Sequence, residues 1–313
     1  MQYIDGAAEI KRHNESVVVL GNFDGIHKGH QKLFEVAKSE AYNKGLETIV
    51  FSFYPHPTWV IGNKRKSLLM SREDKKQTIE NLGLDVLVEY PFTKEFASQS
   101  PEAFFVEILV KKLNARVLVV GSNYYFGKNK AGNIEFLKKM GMQYDVQVHV
   151  VEAVMLEEQM ISSSKIRELV QKGKIEEASR MLGHSYRVVG KVEQGKKLGR
   201  TLGFPTINLI AQPDYVYPPN GVYATLVKVY SKTYLGMTNI GFNPTVSSER
   251  KMIETHIIGF NESIYGEKVE IEFYHFIRPE KKFADIEGLR KQLLSDKEYV
   301  QHFFEEVRNK IAK

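Results

Sequence analysis

The chain has 313 residues, a formal net charge of +6 and no cysteine. This length suffices for two ordinary domains, and the lack of cysteine excludes disulfides, thiolate metal sites and cysteine nucleophiles. The positive charge suits anionic ligands, but no concentrated basic tract points to nucleic acid as a partner. No apolar run is long enough to span a bilayer and the N-terminus lacks a secretory pattern, so we expect a cytoplasmic protein with no membrane partner.

The first informative stretch is GNFDGIHKGH, residues 21–30. It follows the apolar run Val17–Leu20, which predicts a buried strand, and precedes Gln31–Asn43, whose apolar residues recur at helical spacing. Glycines at such a turn let the backbone approach a phosphate, and the helix N-terminus offers free N–H groups. His27 and His30 add donors, so the pattern indicates stabilisation of charge on a phosphate. The alternative is a glycine-rich turn with two surface histidines.

Strands and helices then alternate. Leu46–Phe53 predicts a second parallel strand, which ends at Phe53 and the rigid turn Pro55-His56-Pro57. Further strands are predicted at 84–90, 115–120 and 146–151, with helices at 71–81, 100–113 and 133–140. This alternation predicts a mostly parallel sheet that is covered on both faces.

Two later loops are candidates for ligand binding. In GSNYYFG, residues 121–127, aromatic side chains lie between glycines after a buried strand, where they are suited to stack on a planar ring. In ISSSKIR, residues 161–167, serines open a helix. They are either ordinary helix caps or, together with Arg167, ligands of a polyphosphate.

After residue 183 the pattern changes to strands that meet at turns. Five strands are predicted, at 186–193, 221–230, 232–240, 251–258 and 268–276. We therefore predict a boundary between domains 1–183 and 184–313, a small antiparallel barrel in the second domain, and two terminal helices, Phe283–Leu294 and Lys297–Ile311.

The candidate chemistry of the second domain lies in GKKLGRTLGFPTIN, residues 195–208, and in Glu254. Thr206 and Asn208 are two residues apart on an extended backbone and so share a face, where both offer oxygen ligands of the kind that magnesium accepts. Glu254 is a lone carboxylate within an apolar strand. It either faces solvent or points into the barrel, where it would be a general-base candidate. A glycine-rich hairpin with a proline turn is the alternative for the whole stretch.

Together these motifs, with PPNGVYA at 218–224, NIGFNPT at 239–245 and ETHI at 254–257, resemble the prokaryotic bifunctional riboflavin kinase and FMN adenylyltransferase (FAD synthetase) family. GNFDGIHKGH in particular is similar to the H-x-G-H signature of nucleotidyltransferases. The resemblance extends over essentially the whole chain. It implies a Rossmann-like nucleotidyltransferase domain at 1–183 and a riboflavin kinase barrel at 184–313.

The resemblance also implies roles for individual residues. The catalytic residues would be His27, His30 and Glu254. The ATP-binding residues would be Asn22, Phe23, Gly25, His27, His30, Ser162, Ser163, Arg167, Gly199, Thr206 and Asn208. The flavin-binding residues would be Phe53, Pro55, Asn123 and Phe126. Thr206 and Asn208 would also hold Mg²⁺ brought with ATP, and no organic prosthetic group is implied.

The implied activity has two steps: ATP phosphorylates riboflavin to FMN, and a second ATP adenylylates FMN to FAD with release of pyrophosphate. The expected small-molecule partners are therefore ATP, riboflavin, FMN and FAD, and self-association is left open. Two alternatives remain at this point. One is a single-activity FMN adenylyltransferase whose barrel binds flavin without phosphorylating it, and the other is a non-catalytic flavin sensor or RNA-binding regulator.

Overall fold

The computed structural model describes residues 1–6, 10, 12–62, 65–195, 198–245 and 248–311. The chain forms two compact units, Met1–Ser163 and Ser164–Lys313. The predicted domain boundary after residue 183 lies C-terminal to this division and stays a prediction. Within the described part of the chain, no helix has the length and apolarity needed to cross a membrane.

The first unit contains a six-stranded parallel sheet in the order β1-β4-β3-β2-β5-β6. Its strands are β1 (Gln2–Asp5), β2 (Ser16–Leu20), β3 (Glu47–Tyr54), β4 (Val86–Pro91), β5 (Ala115–Gly121) and β6 (Gln147–Val151). The predicted parallel strands are thus confirmed. The edge strand β1 was not predicted, because only Ile4 of its four residues is a buried apolar residue.

Helices cover both faces of this sheet and pack on two apolar clusters, one on each face. They are α1 (Lys28–Lys44), α2 (Pro57–Val60), α3 (Arg72–Asn81), α4 (Lys94–Ala97), α5 (Pro101–Ala103) and α6 (Ile134–Tyr144). Beyond α5 the chain continues as a π-helix, Phe104–Val110, and a 3₁₀ turn spans Lys128–Lys130. The predicted helix after GNFDGIHKGH is confirmed: His27 caps α1 and Gly45 ends it with a left-handed φ of 66°.

The second unit contains a six-stranded antiparallel sheet in the order β10-β13-β12-β11-β14-β9. Its strands are β9 (Tyr186–Lys191), β10 (Thr206–Ile210), β11 (Gly221–Val229), β12 (Lys232–Thr245), β13 (Ser248–Ile257) and β14 (Lys268–Arg278). A small hairpin at the end of the first unit, β7 (Met155–Leu156) and β8 (Gln159–Met160), precedes α7 (Ser163–Gln171) and α8 (Ile175–Leu182) in the chain. A short helix, α9 (Leu198–Thr201), lies between β9 and β10 in the chain. The edges of the sheet meet at a bridge, where the N–H of Glu193 donates to the carbonyl of Asn208 over 2.8 Å. This contact gives the sheet its predicted barrel form.

The two faces of this sheet differ in chemistry. On one face, the buried hydroxyls of Thr225, Thr238 and Thr255 form a chain with oxygen–oxygen distances of 2.8 and 2.9 Å. On the other face, Val222 and Ala224 pack with Phe304 of the last helix, α10 (Ile286–Ile311). The second face is therefore the covered outer face of the barrel.

The prediction of two terminal helices was wrong, because α10 is one continuous helix of 26 residues. The predicted break fell at Ser295-Asp296, which are often found at helix ends. Here the carboxylate of Asp296 is 2% exposed and receives the guanidinium of Arg278 at 2.6–3.0 Å. Because this partner satisfies the carboxylate, the helix continues through the position.

Candidate active sites

The first candidate site lies where β2, β3 and β5 end. These strands are neighbours, with β2 in the middle, so the loops that follow them meet at one edge of the sheet. From β2 the chain continues to β3 and β4 on one side of β2 and then crosses to β5 on the other side. The strand order therefore reverses between β2 and β5, and open α/β sheets bind ligands at such a switch point. GNFDGIHKGH follows β2 and GSNYYFG follows β5, as predicted.

The loop between β2 and α1 is held by hydrogen bonds to its carbonyl groups. The hydroxyl of Ser52 donates to the backbone carbonyl of Asn22 over 3.2 Å. The hydroxyl of Ser163 donates to the backbone carbonyl of Asp24 over 2.9 Å. Such bonds allow the backbone to keep positive φ angles that non-glycine residues rarely adopt, namely 52° at Phe23 and 40° at Ile26. The loop conformation is therefore fixed by side chains from distant parts of the first unit.

The two histidines of this loop stack on each other. Their ring centroids are 3.6 Å apart with an interplanar angle of 19°, and Nδ1 of His27 accepts the backbone N–H of His30 at 3.4 Å. Burial lowers the pKa of His30 well below its ordinary value, and the electrostatic effect of the neighbouring His27 adds a smaller decrease. His30 is therefore neutral near pH 7, and its buried Nδ1 has no hydrogen-bond partner among the described residues. An orphaned polar atom of this kind suits a ligand that supplies the missing partner.

Phe23 lies beneath this pair and not in a cavity. Its side chain is fully buried, with its ring 5.3 Å from His30 edge-on and 5.0 Å from Phe34. An added Cβ at Gly21 would come within 2.8 Å of the Phe23 ring, which explains a glycine at that position. Any contribution of Phe23 to ligand binding must therefore come from its backbone, whereas Gly25 provides a turn with a φ of 85°.

An aromatic cavity of about 420 Å³ opens beside the loop. Of the predicted ATP- and flavin-binding residues, it is lined by Asn22, Phe53, Asn123 and Phe126. It is also lined by Tyr124 of the predicted GSNYYFG loop and by residues that the sequence did not single out for ligand binding, among them Phe92, Phe96 and Phe104. Phe104 packs in the core and also lines the cavity.

The Pro55-His56-Pro57 turn contributes only in part to this wall. Pro57 lines the cavity, whereas Pro55 does not appear among the described lining residues and joins Tyr54 through a cis peptide bond. His56 caps α2, and its Nδ1 accepts the N–H of Thr58 at 3.2 Å. Capping of α2 therefore accounts for a histidine at position 56 of this turn.

The serines predicted to hold phosphate lie at the start of α7. Ser163 is the first residue of this helix, and its hydroxyl contacts the β2–α1 loop through Asp24, whereas Ser162 directly precedes the helix. Arg167 is one helical turn further along α7, in the second compact unit, where its Nη1 lies 3.4 Å from the hydroxyl of Ser164. The hydroxyl of Ser163 therefore supports the backbone of the loop.

The second candidate site lies on the outer face of the barrel. Asn208 pairs with Glu254, which pairs in turn with Asn239, and Thr206 pairs with His256. Paired residues of neighbouring strands point to the same side of a sheet, so these side chains share the face that α10 covers. Thr206, Glu254 and Gly199 line a cavity of about 240 Å³ between this face and α10. Lys196 and Lys197 of the predicted basic stretch lie outside the described residues.

Glu254 matches neither of the two orientations that the sequence allowed. It points away from the barrel interior, which is occupied by its neighbours Ile253 and Thr255, yet it does not simply face solvent. It is half-buried in the wall of the cavity beneath α10. A carboxylate in such a position is available to a bound hydroxyl.

Asn208 and Phe204 are closely approached by glycines. Asn208 is 5% exposed, and a Cβ at Gly195 would come within 2.3 Å of its amide nitrogen. A Cβ at Gly199 would lie 2.2 Å from the carbonyl of Phe204. Gly195 thus allows the backbone to lie directly against Asn208, and Gly199 does the same two residues before Thr206.

His256 and Arg278 are cavity residues that sequence reasoning missed. Nδ1 of His256 donates to the carbonyl of Pro205 at 2.9 Å, and burial lowers the pKa of this histidine. His256 is two residues after Glu254, and residues two apart in a strand point to the same face. This spacing is the sequence signal that could have identified His256. Among the described residues, no three His, Cys, Asp or Glu side chains form a group that is suited to hold a metal ion by themselves.

Two family models match the chain. A model described as FAD synthetase matches residues 9–165, and a model described as riboflavin kinase matches residues 182–304. Bifunctional riboflavin kinase/FMN adenylyltransferase of Listeria monocytogenes is 40% identical over 291 residues, which cover 92% of each chain. The enzyme of the same name from Bacillus subtilis is 39% identical and covers 94% of each chain.

One solved structure is similar over nearly the full length. A Streptococcus pneumoniae crystal structure, named as that of a macrolide-efflux protein, has a TM-score of 0.88 and 33% identity, and it covers 96% of this chain and 99% of its own. Its name differs from those of the two bacterial relatives. The fold described above is thus found in an experimental structure.

Proposed function

The chain belongs to the bifunctional riboflavin kinase/FMN adenylyltransferase family, and we propose that its first compact unit carries the adenylyltransferase site and its second unit the kinase site. As a member, it is an enzyme that phosphorylates riboflavin to FMN and adenylylates FMN to FAD, using ATP in both steps. The single-activity and regulator alternatives are not supported. The observation that carries the division is that each unit holds its own cavity beside its own predicted catalytic residues.

In the first unit, the aromatic cavity holds the flavin ring, and the β2–α1 loop holds the triphosphate of ATP. A phosphate oxygen of FMN attacks the α-phosphorus of ATP, a new P–O–P bond forms, and the bond to the β-phosphate breaks so that pyrophosphate leaves. His27, His30 and the N-terminus of α1 donate hydrogen bonds to the charge that develops on the phosphates. Ser162 and Ser163, which belong to the same unit, act on the same triphosphate. The assignment of Arg167 to the triphosphate stays a prediction.

In the second unit, riboflavin lies in the cavity beneath α10. Glu254 accepts the proton of the flavin 5′-hydroxyl, and the oxygen of this hydroxyl attacks the γ-phosphorus of ATP. A P–O bond to the flavin forms, the bond from the γ-phosphorus to the β-phosphate oxygen breaks, and ADP leaves. Gly199 allows the backbone to approach the nucleotide. The half-buried position of Glu254 beside Thr206 in one cavity wall supports this assignment.

The residues present on this face fit a magnesium ion that arrives with ATP. Thr206 and Asn208 offer a hydroxyl and an amide oxygen on one side of β10, and hard oxygen ligands together with phosphates suit Mg²⁺. The close approach of Gly195 to Asn208 leaves a cradle that any side chain would fill. When bound, the ion would neutralise phosphate charge.

The assignment of one activity to each unit is tested by incubating the purified protein with riboflavin, Mg²⁺ and ATP. Riboflavin, FMN and FAD are then separated and quantified over time. FMN should appear first and FAD afterwards. With FMN supplied instead, FAD should form even in a variant whose kinase site is disabled. If FMN never appears but supplied FMN is adenylylated, the kinase assignment of the barrel is wrong.

A further inference from the structure

A buried ion cluster lies beneath the β2–α1 loop and takes no part in the chemistry described above. Its central carboxylate is Glu89, near the end of β4 and 1% exposed. Glu89 forms ion pairs with Lys75 and Arg72 of α3, and it accepts the hydroxyl of Tyr3 at 2.7 Å. Burial would raise the pKa of Glu89, but Lys75, Arg72 and Tyr3 together lower it, so the carboxylate is charged at neutral pH.

This cluster is connected to the loop through one hydroxyl. Ser52 is the β3 neighbour of Glu89 in the sheet and is fully buried. Nζ of Lys75 donates to its hydroxyl oxygen at 3.2 Å, and the hydroxyl donates in turn to the carbonyl of Asn22 at 3.2 Å. A continuous path of polar contacts therefore runs from Glu89 through Lys75 and Ser52 to the loop.

The end of this path matters for the ligand side of the loop. In a trans peptide the C=O and N–H groups point in opposite directions. Because the carbonyl of Asn22 points inward to Ser52, the N–H of the next residue, Phe23, points away from the sheet interior. The bond from Ser52 therefore fixes how the loop presents itself at the edge where Asn22 lines the aromatic cavity.

Fold stability alone is a poor explanation for the cluster. Burying charges costs free energy, and apolar residues of similar volume often stabilise a core as well or better. Directly before the cluster this sheet face is apolar: Val50 and Leu87, two residues before Ser52 and Glu89, pack in the core beneath α1. The cluster lies at the strand ends that lead to the site.

We propose that Glu89, Lys75 and Ser52 position the β2–α1 loop for adenylyl transfer. They touch neither substrate, and they act through the peptide between Asn22 and Phe23. The inference rests on the proposed assignment of this loop to the adenylyltransferase site. Removing the connection should impair FAD formation and leave FMN formation intact.

The main test is Ser52→Ala, which removes one oxygen and leaves the ion pairs in place. We expect kcat/KM for FAD formation from supplied FMN to fall about 10-fold, since small misplacements of reacting groups cost rate steeply. The kinase rate, measured as FMN plus FAD formed from riboflavin, should not change. Lys75→Met should lower FAD formation further, and adding Ser52→Ala to it should have little extra effect, because both changes interrupt one path.

The matched control is Glu47→Gln. Glu47 lies at the opposite end of the same strand, β3, where it pairs with Arg12 at 2.5 and 2.8 Å. This change should lower the melting temperature without lowering FAD formation by the folded enzyme. Unchanged kinetics of Ser52→Ala, or an equal loss in Glu47→Gln, would overturn the proposal. If His30→Ala also left FAD formation unchanged, the assignment of the loop would fail instead.

Discussion

The two candidate sites are built in different ways. In the first unit, the histidines lie on a loop whose backbone has unusual torsion angles and is held by Ser52 and Ser163 from other elements. In the second unit, Thr206, Asn208 and Glu254 lie on regular strands and are brought together by register alone. A loop site therefore depends on its distant supports, whereas a strand site depends on the pairing of the sheet and on the helix that covers it.

The sharpest way to separate the two sites is Glu254→Gln. The amide keeps the size of the side chain but accepts no proton, so FMN formation should fall about 10²–10⁴-fold. FAD formation from supplied FMN should be unchanged. Glu270→Gln on β14 of the same sheet, where Glu270 pairs with Lys228 at 2.7 Å, is a control that should leave both rates intact. Loss of both activities in folded Glu254→Gln would argue against independent sites.

The reciprocal change is His30→Ala. Removing a donor to developing phosphate charge should lower FAD formation about 10²–10³-fold, while FMN formation from riboflavin continues. Steady-state kinetics of the two reactions on one preparation measure the effect. His13→Ala, which removes an exposed histidine of the same unit, serves as the comparison and should behave as wild type. An equal loss in both variants would contradict a role for the stacked pair.

Asp296→Ala tests whether the Arg278–Asp296 pair holds α10 over the proposed kinase site. This change leaves the guanidinium of Arg278 without its buried partner, and breaking such pairs costs about 3–5 kcal/mol of stability. We expect the second unit to unfold at lower denaturant concentration and FMN formation to fall. Glu298→Ala, two residues away on the exposed side of α10, should have little effect. If Asp296→Ala unfolds like wild type, the pair does not hold the helix in place.

The smallest expected effect is a pH dependence that belongs to the first unit. The pKa of His30 is lowered in the folded protein, so below about pH 6.5 the unfolded chain binds a proton that the native state does not. The free energy of unfolding should therefore fall as the pH drops below this value, by at most about 1.4 kcal/mol per pH unit. His30→Gln should remove that part of the slope in urea titrations. Equal slopes for both proteins would show that His30 is not the titrating group.

Local patterns in the sequence were sufficient for much of the fold and of the loop site. Segments with the apolar pattern of strands alternate with segments that have the pattern of helices, and this alternation predicted the parallel sheet. The glycines and histidines of residues 21–30 predicted a ligand-binding loop at the edge of that sheet. The aromatic cavity was predicted only in part, because Phe96 and Phe104 come from helical segments whose rings also pack in the core. A sequence pattern does not distinguish a core aromatic residue from one that has an edge in a cavity.

The strand site shows a different limit. Because side chains alternate between the two faces of a strand, the spacing of Thr206 and Asn208 predicted that they share a face. The spacing does not indicate which face of the barrel a helix covers. That depends on α10, whose continuity through Asp296 depends on Arg278 at the end of β14. Long-range pairing of this kind leaves no local signal, and for the same reason the orientation of Glu254 was left open.

The bridge between Glu193 and Asn208 has a consequence of its own. Asn208 joins the two edges of the barrel through its backbone, and its side chain is the one that we propose binds the nucleotide. That proposal links barrel opening to nucleotide release, so a bound nucleotide should slow exchange of the Glu193 amide hydrogen with solvent.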